Sequence, residues 1–240
     1  LTSDAPECLA KAKPLSCAHC TEANATHVPH AGSGYSPSHV GRAIHADIVG
    51  PFRRSTIGKH QYMLVLIDDH SRFKAVYFMQ AKSEASALIK RYVAQFNAYA
   101  SRGKDKPVRI VGTLHCDNAG EFLSREFQEF LEAETIHQTT CPPHVHSLNG
   151  VAERAIRSIM EHVRSDLVAS NAPIGFWTHA AEHAVDILNR TTGPPNSDVS
   201  SYESLTGSKP TIMSILPFGC RTFSVKPRSA YLKTEIQSRS

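Results

Sequence analysis

The stretch Ala43-Ile44-His45-Ala46-Asp47-Ile48-Val49, closed by Gly50-Pro51, decides how the rest of the chain is read. It is short, apolar and β-prone, and it ends in turn residues, as a strand does. Similar runs follow at 62–67 and 73–79, again separated by turn formers, so three consecutive antiparallel strands are expected. On such a strand Asp47 would be held on a fixed, pleated surface.

Downstream the periodicity changes. Ser83 is expected to cap a helix reaching about Ala100, with Ala87, Leu88, Val93 (with Tyr92) and Phe96 at helical spacing. A strand over 108–114 comes next, then a helix capped by Ser124 with Phe127, Phe130 and Leu131 on one face, then a short strand over 136–140. Residues 151–168 read as an amphipathic helix whose buried stripe is Ala152, Ile156, Ile159, Met160, Val163 and Leu167. Pro173 suits the first turn of a further helix through about Asn189. Strands first, then alternating helix and strand, predict an α/β or α+β domain over 41–192. Residues 1–40, with Pro6, Pro14, Pro29 and Pro37, read as an irregular lead-in, and 193–240 as an extension with a basic tail.

Composition narrows the function classes. Of 240 residues, 41% are hydrophobic, and no apolar run approaches the roughly 20 residues a bilayer crossing needs, so no membrane partner is expected. The N-terminus lacks the basic-then-apolar order of a signal peptide, and six unevenly spaced cysteines do not form a disulfide framework. An intracellular, reducing location is the expectation. The sequence starts at Leu1 and reads as a fragment or processed product. The net charge is +4, and the last twenty residues carry Arg221, Lys226, Arg228, Lys233 and Arg239 against Glu235 alone. Such a tail can track phosphates, because Lys and Arg release counterions from nucleic acid. A solvated terminal segment explains the same charges.

Three acids stand out. Asp117 follows the expected 108–114 strand, Glu153 lies off the apolar stripe of the 151–168 helix, and thirty-five residues separate the two. Ligands of open sheets bind beyond the carboxyl ends of strands, where Asp117 would sit. Phosphodiester chemistry needs several carboxylates around metal ions about 3.5–4 Å apart. Each acid also has an ordinary reading: Asp47 as a turn former before Gly50-Pro51, Asp117 in an Asx turn, and Glu153 as the i,i+4 partner of Arg157, worth about 0.2–0.5 kcal/mol. Arg157 and Arg164 share the polar side of the helix with Glu153.

The words around these acids resemble the retroviral-type integrase core, particularly that of copia-type retrotransposons. The matching blocks are 44–52 around Asp47, Leu66-Ile67-Asp68-Asp69-His70-Ser71-Arg72, Val76-Tyr77-Phe78, Asp117-Asn118-Ala119-Gly120-Glu121-Phe122, Asn149-Gly150-Val151-Ala152-Glu153-Arg154, Phe176-Trp177 through Asn189-Arg190, and Phe218-Gly219-Cys220-Arg221. The resemblance implies an RNase H-like fold, a five-stranded mixed sheet flanked by helices. It implies Asp47, Asp117 and Glu153 as ligands of two Mg²⁺ (or Mn²⁺) ions. It implies 3′-end processing of element DNA followed by strand transfer into target DNA, by a homo-oligomer of a retrotransposon polyprotein product, in the nucleus and a cytoplasmic particle. The candidate DNA contacts are Asn149, Arg154, Arg157, Arg164, Lys226 and Arg228. Two competing readings are a non-catalytic nucleic-acid-binding module and a DDE nuclease or transposase that cuts without joining. The chain departs from the family at 144–148, before Asn149-Gly150, and Cys116 replaces a small hydroxyl residue.

Cys17 and Cys20 form a C-x2-C pair with His27 and His30 downstream, a spacing unlike a self-contained finger. In the family a His pair precedes the cysteines, so Cys17 and Cys20 read as half of a Zn²⁺ site or as free thiols. His179, Glu182 and His183 match the H-x-x-E-H pattern of zinc peptidases. With 14 histidines in the chain, a chance pair at i,i+4 explains that match.

Overall fold

The computed structural model describes residues 38–100, 110–116, 120–140 and 150–221, all within one compact unit, Ser36–Ser240. Five strands form one sheet: β1 (Ala43–Val49), β2 (Tyr62–Asp68), β3 (Lys74–Met79), β4 (Thr113–Cys116) and β5 (His137–Thr140), in the order β3-β2-β1-β4-β5. β1, β2 and β3 run antiparallel in sequence, as their short connections allow, whereas β4 pairs parallel with β1 and β5 parallel with β4. The sheet is mixed and five-stranded, as expected. Five helices accompany it among the described residues: α1 (Ala85–Ala100), α2 (Arg125–Glu134), α3 (Gly150–Ser170), α4 (Trp177–Thr191) and α5 (Ser201–Thr206). None is long and apolar enough to cross a membrane.

Strand alternation divides the core in two. Ile44, Ala46, Leu64, Leu66, Leu114 and Cys116 pack with α1 and α2. Met63, Val65 and Ile67 pack with α3 and α4 on the other side. Because helices cover both faces, β2 is buried from Met63 to Asp68, the continuous apolar run that such coverage demands. On the α4 side, Trp177 lies between Phe52 and Phe78, at ring-centroid distances of 4.8 and 5.4 Å, and its indole N–H donates to Arg53 O at 2.9 Å. Burying each large apolar side chain stabilises by about 1.5–3 kcal/mol.

Several boundaries differ from the sequence reading. Ser83 does not cap α1. The chain enters through a 3-10 turn at Lys82–Glu84, and the Glu84 carboxylate accepts from the N–H groups of Gln80 and Ala81, at 2.9 and 2.8 Å. A charged acceptor satisfies two orphan donors at once, so the helix proper starts at Ala85. Its buried side is Ala85, Ile89, Tyr92, Val93 and Phe96, and Ala87 points to solvent. β4 starts five residues later than expected, at Thr113, and ends two later, at Cys116. Ser124 does cap α2, accepting from Phe127 N at 3.4 Å. In α3 the tightest contacts come from Ala152, Ala155, Ile159 and Val163, while Ile156, Met160 and Leu167 flank them. Alanine lets the helix approach the sheet closely. Pro173 precedes a 3-10 turn, Ile174–Phe176, which leads into α4. The short α5 was not anticipated; Ser200 caps it, and Gly207, at φ +71°, ends it.

Asp68 anchors the β2–β3 turn from inside. Its fully buried carboxylate accepts from Gly41 N (2.6 Å), Ser71 N (2.7 Å) and Ser71 Oγ (2.6 Å). The turn then places Arg72 at φ +60° before β3. Replacing Asp68 with Ala would leave two buried N–H groups and a hydroxyl without acceptors, each costing about 1–3 kcal/mol. Asp68→Ala is therefore expected to lose about 3 kcal/mol or more in urea unfolding, and Ser71→Ala clearly less.

Candidate active site

Asp47 belongs to the α3 face of β1. Ile44, Ala46 and Ile48 pack on the α1 side, and alternation turns Asp47 and Val49 the other way. Its cross-strand partner, Val65, packs there with Ala152 and Ala155 of α3. Asp47 is half-buried, and its Oδ1 accepts from Ile48 N at 2.8 Å, which fixes the carboxylate against its own strand.

Glu153 occupies the first turn of α3, one residue past the fully buried Ala152, and is exposed at the edge of the packed stripe. Asp47 and Glu153 thus stand on the same side of the sheet. Asp117 lies outside the described residues; in sequence it follows Cys116, the last residue of β4. β4 pairs with β1 through Ala43 with Thr113, Ile44 with Leu114, and His45 with His115, each pair differing by 70 in number. Asp47 and Asp117 differ by the same 70.

Beside them lies a small polar cluster. The rings of His45 and His115 stack at 4.8 Å. His45 Nε2 is 3.6 Å from Asp69 Oδ1, too long for a hydrogen bond, while Arg72 Nη1 is 2.9 Å from that oxygen. Burial pushes the Asp69 carboxyl up, but His45 and Arg72 together outweigh it and hold Asp69 below its ordinary range. Burial, reinforced by His45, lowers His115. Cys116 is buried, and Gln138 Nε2 donates to its sulfur at 3.1 Å, so the residue serves packing between β4 and β5.

The structure separates the sequence-predicted cations. Arg157 and Arg164 are exposed and follow Glu153 at i+4 and i+11, on one helix side. Arg154 is turned about 100° from Glu153 and about 60° from Arg157, and lines a cleft with Arg72 and Lys74. Sequence reading missed Lys74 as a functional candidate; the available signal was a lysine in an otherwise apolar strand. Asn149, Lys226, Arg228, Cys17 and Cys20 lie outside the described residues. The H-x-x-E-H segment falls on α4. His179 contacts Thr178 Oγ1 at 3.2 Å, Glu182 is exposed, and His183 directs Nδ1 to Asp166 (2.8 Å) and Nε2 to Leu216 O (2.9 Å). Among the described residues, no three His, Cys, Asp or Glu side chains are grouped to hold a metal.

The integrase core domain family matches residues 37–146. Those residues belong to that family. The core's match includes Asp47 and Asp117, and Glu153 follows it by seven positions. Curated relatives extend the likeness through α3 and α4. The chain is 30% identical over 195 residues to the retrovirus-related Pol polyprotein from transposon TNT 1-94 of Nicotiana tabacum, covering 81% of this chain and 14% of that protein. It is 28% identical over 211 residues to the Pol polyprotein from transposon RE2 of Arabidopsis thaliana, covering 88% and 14%. It is 27% identical over 180 residues to the Ty1-LR3 Gag-Pol polyprotein of Saccharomyces cerevisiae, covering 73% and 10%. The chain therefore spans about a seventh or less of the curated relatives it matches. A solved structure, the simian T-cell lymphotropic virus intasome in complex with PP2A regulatory subunit B56 gamma, aligns with a TM-score of 0.58 at 18% identity, covering 88% of this chain and 69% of that one. That likeness supports the RNase H-like fold of the core. Integrase cores as a family are polynucleotidyl transferases that use divalent metal ions.

His183 also gives the core a pH-dependent contact. Burial lowers its pKa, but the Asp166 carboxylate and Leu216 carbonyl outweigh this, so the net direction is upward. With the folded pKa above the ordinary 6.5, the stabilisation is fully present below that value and is lost as pH rises through the folded pKa. Amide protection near Leu216, taken relative to intrinsic exchange at each pH, should therefore fall on the alkaline side in the parent, and His183→Gln should flatten that dependence.

Proposed function

We propose that this chain is the catalytic core of a retrotransposon integrase, a polynucleotidyl transferase that processes DNA 3′ ends and joins them to target DNA. The observation that carries the reading is the common offset of 70: the β1–β4 pairing has it, and so do Asp47 and Asp117. Glu153, on the helix packed over the same face, completes the proposed set.

The donor chemistry fits a divalent metal. Carboxylate oxygens are hard ligands suited to Mg²⁺ or Mn²⁺, and Asp47 is steadied by Ile48 N. In our reading Asp47, Asp117 and Glu153 hold two ions, which when bound activate the nucleophile and neutralise charge on the leaving oxygen. The chain's own contribution is positioning: a strand and a helix locked through Val65, Ala152 and Ala155 keep two carboxylates fixed, so little reorganisation is needed during reaction. Arg157 and Arg164, on the Glu153 side of α3, are proposed to hold the DNA backbone. In the first step water breaks a phosphodiester bond near a 3′ end, leaving a 3′-hydroxyl. In the second that hydroxyl attacks a target phosphodiester, and the displaced 3′-oxygen takes up a proton. Element ends and target DNA are the proposed substrates, and a homo-oligomer the proposed working form.

A reverse-joining assay on a branched DNA substrate, run with Mg²⁺ or Mn²⁺, tests this. Asp47→Asn, Asp117→Asn and Glu153→Gln should each lower joining by about 100-fold or more without changing the melting temperature by more than a few degrees. Joining that persists in any of the three at the parental rate would remove that residue from the site. A nicked but never joined product would favour a nuclease.

A further inference from the structure

Three cations from two distant parts of the chain meet in one cleft on the α3–α4 side of the sheet. Arg72 precedes β3, Lys74 opens it, and Arg154 stands near the start of α3; with Ser158 and Thr192 they line a cavity of about 240 Å³. Its floor is apolar, and none of the described residues lining it is acidic. The cleft borders Ile67, two positions along β2 from Val65, the partner of Asp47.

The cleft is built rather than incidental. Lys74 is only 7% exposed, and Asn189 of α4 grips its backbone from both sides, accepting from Lys74 N at 2.9 Å and donating to Lys74 O at 2.8 Å. The Lys74 ammonium donates to Arg72 O at 3.0 Å and reaches Thr192 Oγ1 at 3.5 Å, both neutral acceptors. Arg72 gives Nη1 to Asp69, but its Nε is buried without a hydrogen-bond partner. Arg154 makes no ion pair among the described residues. A buried cation without a counterion is costly. Burial, with Arg72 adding repulsion, brings Lys74 down to about 8, so the ammonium still predominates at neutral pH but is held at a disadvantage.

We propose that this cleft binds a phosphate group. A tetrahedral oxyanion would supply a counter-charge to Lys74 and Arg154, with the Ser158 hydroxyl able to donate to its oxygens. The phosphate could come from a nucleic-acid backbone or from free inorganic phosphate, and the chemistry of the cleft suits either. The proposal stands apart from the carboxylate reading, because binding here needs neither metal nor reaction.

Isothermal titration with inorganic phosphate, in EDTA and at ionic strength matched with chloride, tests it on the full chain. The parent should bind phosphate in preference to chloride, and Lys74→Met and Arg154→Gln should each weaken binding about ten-fold. Arg125→Gln, on α2 across the sheet, should leave phosphate affinity unchanged. Should Lys74→Met fail to fold, the exposed Arg154 carries the comparison. Equal phosphate affinity in Arg154→Gln and the parent, or no preference over chloride, overturns the proposal. Displacement of bound phosphate by a short DNA duplex assigns the site to a backbone phosphodiester; phosphate retained in the presence of bound duplex assigns it to the free anion.

Discussion

The parallel pairing of β1 with β4 is the contact on which the candidate site depends. It turns an antiparallel meander into a mixed sheet and brings the end of β4 beside the half of β1 that carries Asp47. A parallel pair requires a crossover connection, here one that includes α1, and it is sound only when both sheet faces are covered. The two core clusters meet that requirement. A shift of β4 by one residue would send His115 and Cys116 to opposite faces, trading a buried thiol for an imidazole in the α1 cluster. The apolar pattern thus fixes the register, and the register fixes which chain positions can share chemistry with Asp47.

Two kinds of polar group accompany this frame. Asp68, fully buried and accepting from Gly41 and Ser71, is structural despite standing beside Asp69 in a family-like motif. Asp47 and Glu153 stand at the rim of the packed face, one half-buried and one exposed. A carboxylate that satisfies buried backbone donors, as Asp68 does, is committed to the fold. Lys74 has its backbone clamped by Asn189, and its ammonium has no acidic partner among the described residues.

Much of the fold was legible because alternation and helical spacing leave direct marks. The 43–49 strand, the 62–67 and 73–79 runs and the 151–168 helix are all present in nearly their expected places. What the sequence concealed was tertiary in origin. Glu84 outcompetes Ser83 at the start of α1 because a carboxylate can accept from two backbone donors. Ala155 is buried ahead of Ile156 because close helix–sheet approach favours the smaller side chain. β4 reaches Cys116 because pairing with β1, rather than local propensity, sets its limits. For the candidate site, motif and spacing pointed to Asp47, Asp117 and Glu153, but the place of Arg154 in a cleft with Lys74 was not legible. That place follows from how α3 packs against β2, which puts Arg154 beside Lys74 from a distant part of the chain.

Anomalous diffraction from crystals soaked in Mn²⁺ tests the central claim most directly, because it locates the ion without relying on any substrate. The account predicts a manganese peak held jointly by the carboxylates of Asp47 and Asp117, with Glu153 facing the same site across the cleft. Manganese bound elsewhere, or Asp47 and Asp117 too far apart to touch one ion, would contradict it.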